Sequence, residues 1–405
     1  MKNSPKYTIF ISTLVLILAA GIFIYTGKLN IFSQSNNSEI KSANKPVHMR
    51  AIHLSSWLTG SKKFREKLEP LLSESKINAL VIAIKEYEGE VYIKGVPMAD
   101  KLQTYVGAIP DLESYLQHLK SKKIYTIARI VVFKDDKIPR INPELAVINP
   151  ENALWKDTRG TTWINPYNKT AWEYIFSIAS RCAQIGFDEI QFDYIRYPSD
   201  GNIRECRYGV KHTSTSSVNN LTDFLKEAYT RLKTNFNINI SIDTFGLTTS
   251  VTHDMGIGQN MIEMNKYTDF ICPMVYPSHY RKGEYGIPDP DTEPYLTVFT
   301  SLNDAKKRLG KDYKKLRPYY QDFSIRHRYK TEEVLAQIQA GYDNNIYDWT
   351  LWNARGVYHT EIFDMDKVIN IAEYVNVSTT AVQKQVQSTD TVADPTVLKS
   401  PETLK

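Results

Sequence analysis

The sequence predicts a (β/α)8 barrel, on the strength of three observations. Eight short apolar runs recur along it, amphipathic stretches of helical period separate them, and long loops follow several of the runs. The runs fall at 50–54, 79–84, 124–132, 189–193, 238–243, 270–275, 316–321 and 349–352, and β-branched or aromatic residues dominate them, as suits buried parallel strands. Helical patterns lie at 62–75, 111–121, 170–185, 221–234 and 331–343, the last two with a Thr or Asn near the start to serve as caps. The connectors at 121–123 and 186–188 are short, as turns from helix into strand should be. A doubly wound open sheet would want a glycine-rich phosphate turn after its first strand. Ser55-Ser56-Trp57-Leu58-Thr59 stands there instead.

Bulk properties narrow the function. With 42% hydrophobic and 23% charged residues, the 405-residue chain has ordinary globular composition and ample core. A net charge of +5, not gathered into a basic stripe, argues against nucleic acid as a partner. Cys182, Cys206 and Cys272 show no metal-ligand spacing, so they read as structural, and neither metal nor cofactor is expected. The chain also carries 26 tyrosines and 6 tryptophans, whose flat faces suit sugars but serve equally well in cores.

The N-terminus predicts a membrane anchor. Lys2 and Lys6 precede an uncharged stretch over 7–27, long enough to span a hydrocarbon core, and the flanking lysines favour an inside N-terminus. A cleaved signal peptide is the competing reading, with Ala19-Ala20-Gly21 as a cut site and a secreted product. The expected organisation is an anchor over 1–28, a flexible linker over 29–47, the barrel over 48–376 and a disordered tail over 377–405. The barrel would then face the outside of the cell.

In such a barrel, polar residues at the C-terminal strand ends face the site, and the loops 85–109, 133–169, 196–219 and 277–300 would wall a cleft above them. Asp193 ends the fourth run, Asp243 the fifth and Asp322 the seventh, while Glu86 and Glu88 follow the second. Neighbouring strands lie about 4.8 Å apart, so Asp193 and Asp243 fall within reach of a glycosidic bond. Arg196 and Arg129 would keep Asp193 ionised as nucleophile or base. Ile242 and Phe245 would push Asp243 towards the protonated, acid role. The structural alternative is an ion pair or helix cap. Trp57, Trp349 and Trp352 are candidates for stacking on sugar rings, and Tyr276 and His279 stand at the mouth of the sixth strand.

The strings VVFKD (131–135), WINPYN (163–168), GFDEIQFDYIRYPSDG (186–201), DTFGLTTS (243–250), DMGIG (254–258), CPMVYPSHY (272–280), YGIPDP (285–290), RPYYQDF (317–323) and LWNA (351–354) resemble the domain-of-unknown-function 4015 family, described as glycoside hydrolases of TIM-barrel fold. The resemblance singles out Asp193, Tyr194, Arg196, Pro198, Asp243, Tyr276, His279, Gln321, Asp322 and Asn353. It departs at Ala83, where the family often has Asp. The fourth run also resembles, distantly, the family 18 chitinase signature, but Ile195 occupies the position of the chitinase acid. The function implied is hydrolysis of a cell-wall or extracellular polysaccharide without metal. A non-catalytic carbohydrate-binding or cell-envelope scaffold barrel is the alternative, and a metal-dependent deacetylase finds no ligand spacing.

Overall fold

The computed structural model describes residues 45–74 and 77–363. Eight parallel strands close into a barrel with each strand beside its sequence neighbour: β1 (Arg50–Leu54), β2 (Ala79–Lys85), β3 (Tyr125–Val131), β4 (Glu189–Asp193), β5 (Asn239–Phe245), β6 (Phe270–Met274), β7 (Tyr319–Gln321) and β8 (Trp349–Trp352). Pairing of Arg50 with Trp349 and Ile52 with Leu351 shuts the ring between β1 and β8. The intervening helices are α1 (Lys62–Ser73), α2 (Leu112–Ser121), α3 (Lys169–Ile185), α4 (Ser214–Phe236), α5 (Met261–Asn265), α6 (Pro294–Leu309) and α7 (Thr331–Asp343). Among the described residues no helix is long and apolar enough to cross a membrane. The expected anchor, most of the linker and the tail lie outside the described residues.

Local chemistry explains where these elements begin and end. Asn168 caps α3 by accepting from the Thr170 and Ala171 N–H groups, and Gly186 ends that helix at φ 102°, where a Cβ would be strained. Helix α4 starts seven residues before the apolar period begins. Thr213 and Ser216 cap each other reciprocally there, holding a first turn with no hydrophobic signature. Helix α6 lies partly in the segment expected as loop 277–300, with Pro294 at its first position. Strand β7 is shorter than its apolar run because Pro318 has no N–H to donate, and the run meets β6 only through Ile271 with Leu316 and Met274 with Tyr319 among the described residues.

Alternation sorts the strand residues into two layers. Ile52, Leu80, Ile82, Ile130, Phe192, Ile242 and Leu351 point outward beneath the helices. Met49, Ala51, Ala79, Val81, Tyr125 and Ile127 form a separate cluster on the inward side. The floor of the barrel is polar. Arg317 and Glu189 form a doubly bonded ion pair without solvent exposure, and Tyr125 and Ser241 donate to the same carboxylate. Such a pair is tolerated only because both groups are matched, and breaking one side strands the other charge. The Arg317→Met substitution should therefore cost roughly 3–5 kcal/mol, and a paired Glu189→Leu, Arg317→Met variant should recover most of it. Urea unfolding of the three chains checks this. A single substitution costing under about 1 kcal/mol would show that the pair is not what holds the floor.

Candidate functional site

Above that floor, the strand ends converge on one guanidinium. Arg129 lies opposite Ala83 on β2 and Gln191 on β4, pointing inward two residues beyond Ile127. Its Nε and Nη2 donate to Asp193 Oδ2 at 2.9 and 2.5 Å, and its Nη1 donates to Glu86 Oε2 at 2.9 Å. Asp243 Oδ2, from β5, stands 3.9 Å from the same Nε. Burial works against the charge on Arg129, but Glu86, Asp193 and Asp243 outweigh it and hold the group protonated.

The two aspartates differ in environment. Asp193 accepts both Arg129 bonds on Oδ2 and the Tyr194 N–H on Oδ1 at 2.6 Å. Asp243 is buried, and its Oδ1 has no hydrogen-bond partner among the described residues. Burial, then the neighbouring Asp193 charge, push its carboxyl well above the usual carboxylate range, more than Arg129 pulls it down. The two carboxyls thus differ: Asp193 is hydrogen-bonded through both oxygens, and Asp243 is buried with one oxygen left over. The backbone around Asp243 is fixed independently. The Asp243 carbonyl accepts from the buried Gln259 amide at 3.3 Å, and Gln259 also accepts from the Phe245 N–H.

Aromatic groups ring the cluster. The Trp352 ring lies 5.1 Å from the Arg129 guanidinium and stacks on His53 at 4.0 Å. Burial, then Arg129, hold the His53 imidazole well below its ordinary value, so it is neutral, and its Nε2 is buried without a partner. Tyr319 meets Trp352 edge-on and donates to Gln191 at 2.6 Å beneath the carboxylates. Tyr276 closes the β6 side, and burial above all raises its phenol well beyond the ordinary value. Beside Tyr276 and Trp352 opens a cleft of about 440 Å³, which His279 also lines.

Other residues singled out from the sequence sit elsewhere or are already committed. Arg196 makes no ion pair with Asp193. It is packed among the Trp163, Tyr194 and Phe245 rings at 4.7–4.9 Å and donates to the Tyr197 carbonyl. Tyr194 follows Asp193 with φ 49°, its ring against Trp163. Asp322 is buried and accepts from His359 through both ring and backbone nitrogens. Gln321 accepts from the Ser278 N–H and hydroxyl and donates to the Phe323 carbonyl. Asn353 holds the Asp322 and Val357 carbonyls, and Trp57 lies 63% exposed on the short helix Ser56–Gly60. The groups that sequence reasoning undervalued are Glu86, His53 and Arg129. Arg129 had a visible signal, since a charge at an inward position of a buried strand must meet an opposite charge. No group of three or more His, Cys, Asp or Glu side chains among the described residues is placed to hold a metal ion.

Comparison with known proteins agrees with this architecture. A search of curated proteins returns no match. The glycoside hydrolase domain of PgaB (BpsB) from Bordetella bronchiseptica is 14% identical, aligns over 82% of this chain and 98% of that one, and gives a TM-score of 0.58. Alpha-L-fucosidase isoenzyme 2 from Paenibacillus thiaminolyticus is 11% identical over 81% of this chain and 50% of that one, at a TM-score of 0.54. A hypothetical protein from Ruminiclostridium thermocellum is 31% identical over 47% of this chain and 96% of that one, at a TM-score of 0.43. The first two likenesses are of fold. A family model described as "Putative glycosyl hydrolase domain" matches residues 51–358, the whole barrel from β1 past β8, and so the chain belongs to the domain-of-unknown-function 4015 family.

Proposed function

We propose that the chain is a glycoside hydrolase acting on a cell-wall or extracellular polysaccharide, with Asp193 as nucleophile or base and Asp243 as acid. The observation that carries this reading is the unequal setting of two carboxyls around Arg129, one accepting two of its hydrogen bonds and the other buried with an unpartnered oxygen. Hydrolysis of a glycosidic bond asks for one charged and one neutral carboxyl on either side of it. Two oxygens at 2.9 and 3.9 Å from one nitrogen cannot be more than about 7 Å apart, which is short of most of the separation used by inverting enzymes. Protonated Asp243 would give its proton to the leaving oxygen, while Asp193 attacks the anomeric carbon or draws a proton from water. Trp352, held flat by His53, offers a face for the sugar ring.

One observation favours a second reading, a barrel that binds carbohydrate without cleaving it. The Asp193 side chain is only 6% exposed, and both its oxygens already accept hydrogen bonds. Substrate would have to draw it partly away from Arg129. Asp193→Asn separates the two readings. In a hydrolase, turnover should fall by about 100-fold or more with glycan binding retained. If the unsubstituted protein releases no reducing ends from a broad glycan panel, the scaffold reading replaces hydrolysis.

The raised Asp243 carboxyl also makes a statement about stability. Between the unfolded aspartate value of about 4 and its higher folded value, the folded state holds a proton that the unfolded chain has lost. Stability contributed by this group is therefore present at low pH and falls as pH rises through that window. Asp243→Asn should flatten the fall, leaving the variant at least as stable as the parent at pH 8. Chemical denaturation across pH 4–8 tests this, and an equally steep fall in the variant would assign the dependence to another group.

We further propose that the segment over 7–27 anchors the chain in a membrane with the barrel outside, resting on its uncharged length and the lysines before it. The full chain should sediment with membranes and its barrel should be digested by protease added to intact cells. Deleting residues 1–28 should release it. A barrel protected until the cells are lysed would reverse the orientation.

A further inference from the structure

The cleft beside Tyr276 and Trp352 has a chemistry of its own. Phe323 meets the Tyr276 ring edge-on at 5.5 Å and the His279 ring at 5.9 Å, so the wall is aromatic and fixed by mutual packing. No acidic side chain lines it. Arg355, exposed on the loop after β8, is its one arginine, and the guanidinium has no hydrogen-bond or ion-pair partner among the described residues. The nearby Arg326 is already engaged, donating to the Ser278 carbonyl at 2.8 Å and standing 3.6 Å from Asp291. Arg355 is therefore the cation left to meet a ligand.

We propose that this cleft is a subsite for a sugar unit bearing a carboxylate, a hexuronic acid, with its ring against Phe323 and Trp352 and its acid paired to Arg355. The proposal rests on the carbohydrate reading of the barrel mouth and adds the substrate class. Aromatic faces take the apolar side of a pyranose ring, and a free guanidinium fork matches a carboxylate's two oxygens. Charge also fixes which unit carries the acid. At the barrel mouth Glu86 and Asp193 already share one guanidinium, so an acidic sugar placed directly over them is repelled. Beside Arg355 the same group is attracted. The polymer recognised is thus one whose acidic units flank the bond at the carboxyl pair.

The test is binding of oligogalacturonate and oligomannuronate to the full chain in detergent, by calorimetry, with methyl-esterified forms of both as controls. The esters keep the ring and remove the charge. At least one acid oligomer should bind about tenfold or more tightly than its ester, and Arg355→Gln should erase that difference. Phe323→Ala should weaken acid and ester alike. Salt should weaken the acid form alone. Arg355 is exposed and unpartnered, so its substitution should leave the melting temperature in place, which excludes misfolding as the cause. Equal binding of acid and ester, no binding of either acid, or an acid preference that survives Arg355→Gln would each overturn the subsite. Hydrolysis fails separately: an acid oligomer held through Arg355 but never cleaved sinks the enzyme reading alone, and cleavage of neutral glycans without acid preference sinks the subsite alone.

Discussion

The arrangement at the barrel mouth depends on one guanidinium. Arg129 donates to Glu86 and Asp193 and stands beside Asp243, so three carboxyls from three strand ends are ordered around a single positive charge. A buried arginine is costly to desolvate unless its donors are matched, and Asp193 and Glu86 match them. Asp243 is left with the weaker share. Burial, then the neighbouring Asp193 charge, push its carboxyl well above the usual carboxylate range. The difference in setting between the aspartates follows from how unequally Arg129 serves them.

The interior of the barrel is stratified below that point. Glu189 and Arg317 cancel at the floor, and Tyr319, Gln191 and Cys272 make a neutral, hydrogen-bonded middle layer. Among the described residues, the buried polar atoms without a hydrogen-bond partner include Asp243 Oδ1 and His53 Nε2 at the top and Arg317 Nε at the floor. Unsatisfied buried polar atoms are uncommon in folded proteins, and the two at the C-terminal face are consistent with a ligand that supplies hydroxyl groups there.

Much of this was legible in the sequence, and the limits have physical causes. Strand existence and order could be read because each strand is a compact apolar run with turn residues at its borders. The start of α4 was hidden because its first turns are Ser, Thr and Asn, which cap rather than pack. The start of β7 was hidden because Pro318 removes a ladder bond without changing hydrophobicity. At the site, strand-end position identified Asp193 and Asp243 but could not assign partners. Arg196 is adjacent in sequence to Asp193 yet turns into an aromatic cage, while Arg129, some sixty residues earlier, takes the carboxylate. Asp322 looked equivalent to the other two aspartates and is instead bound to His359. Which partner a carboxylate finds depends on the register between strands, and register is a property of the closed sheet.

The most direct test is the protonation state of the two aspartates at neutral pH. Carbon-13 carboxyl labelling of aspartate, with Asp193→Asn and Asp243→Asn used to assign the resonances, reports each group through a pH titration. An Asp243 carboxyl that stays protonated at pH 7 beside an ionised Asp193, and that titrates lower once Asp193 is replaced, is the expected result. Two aspartates both ionised at pH 7, or an Asp243 indifferent to loss of Asp193, would contradict the division on which the proposed chemistry stands.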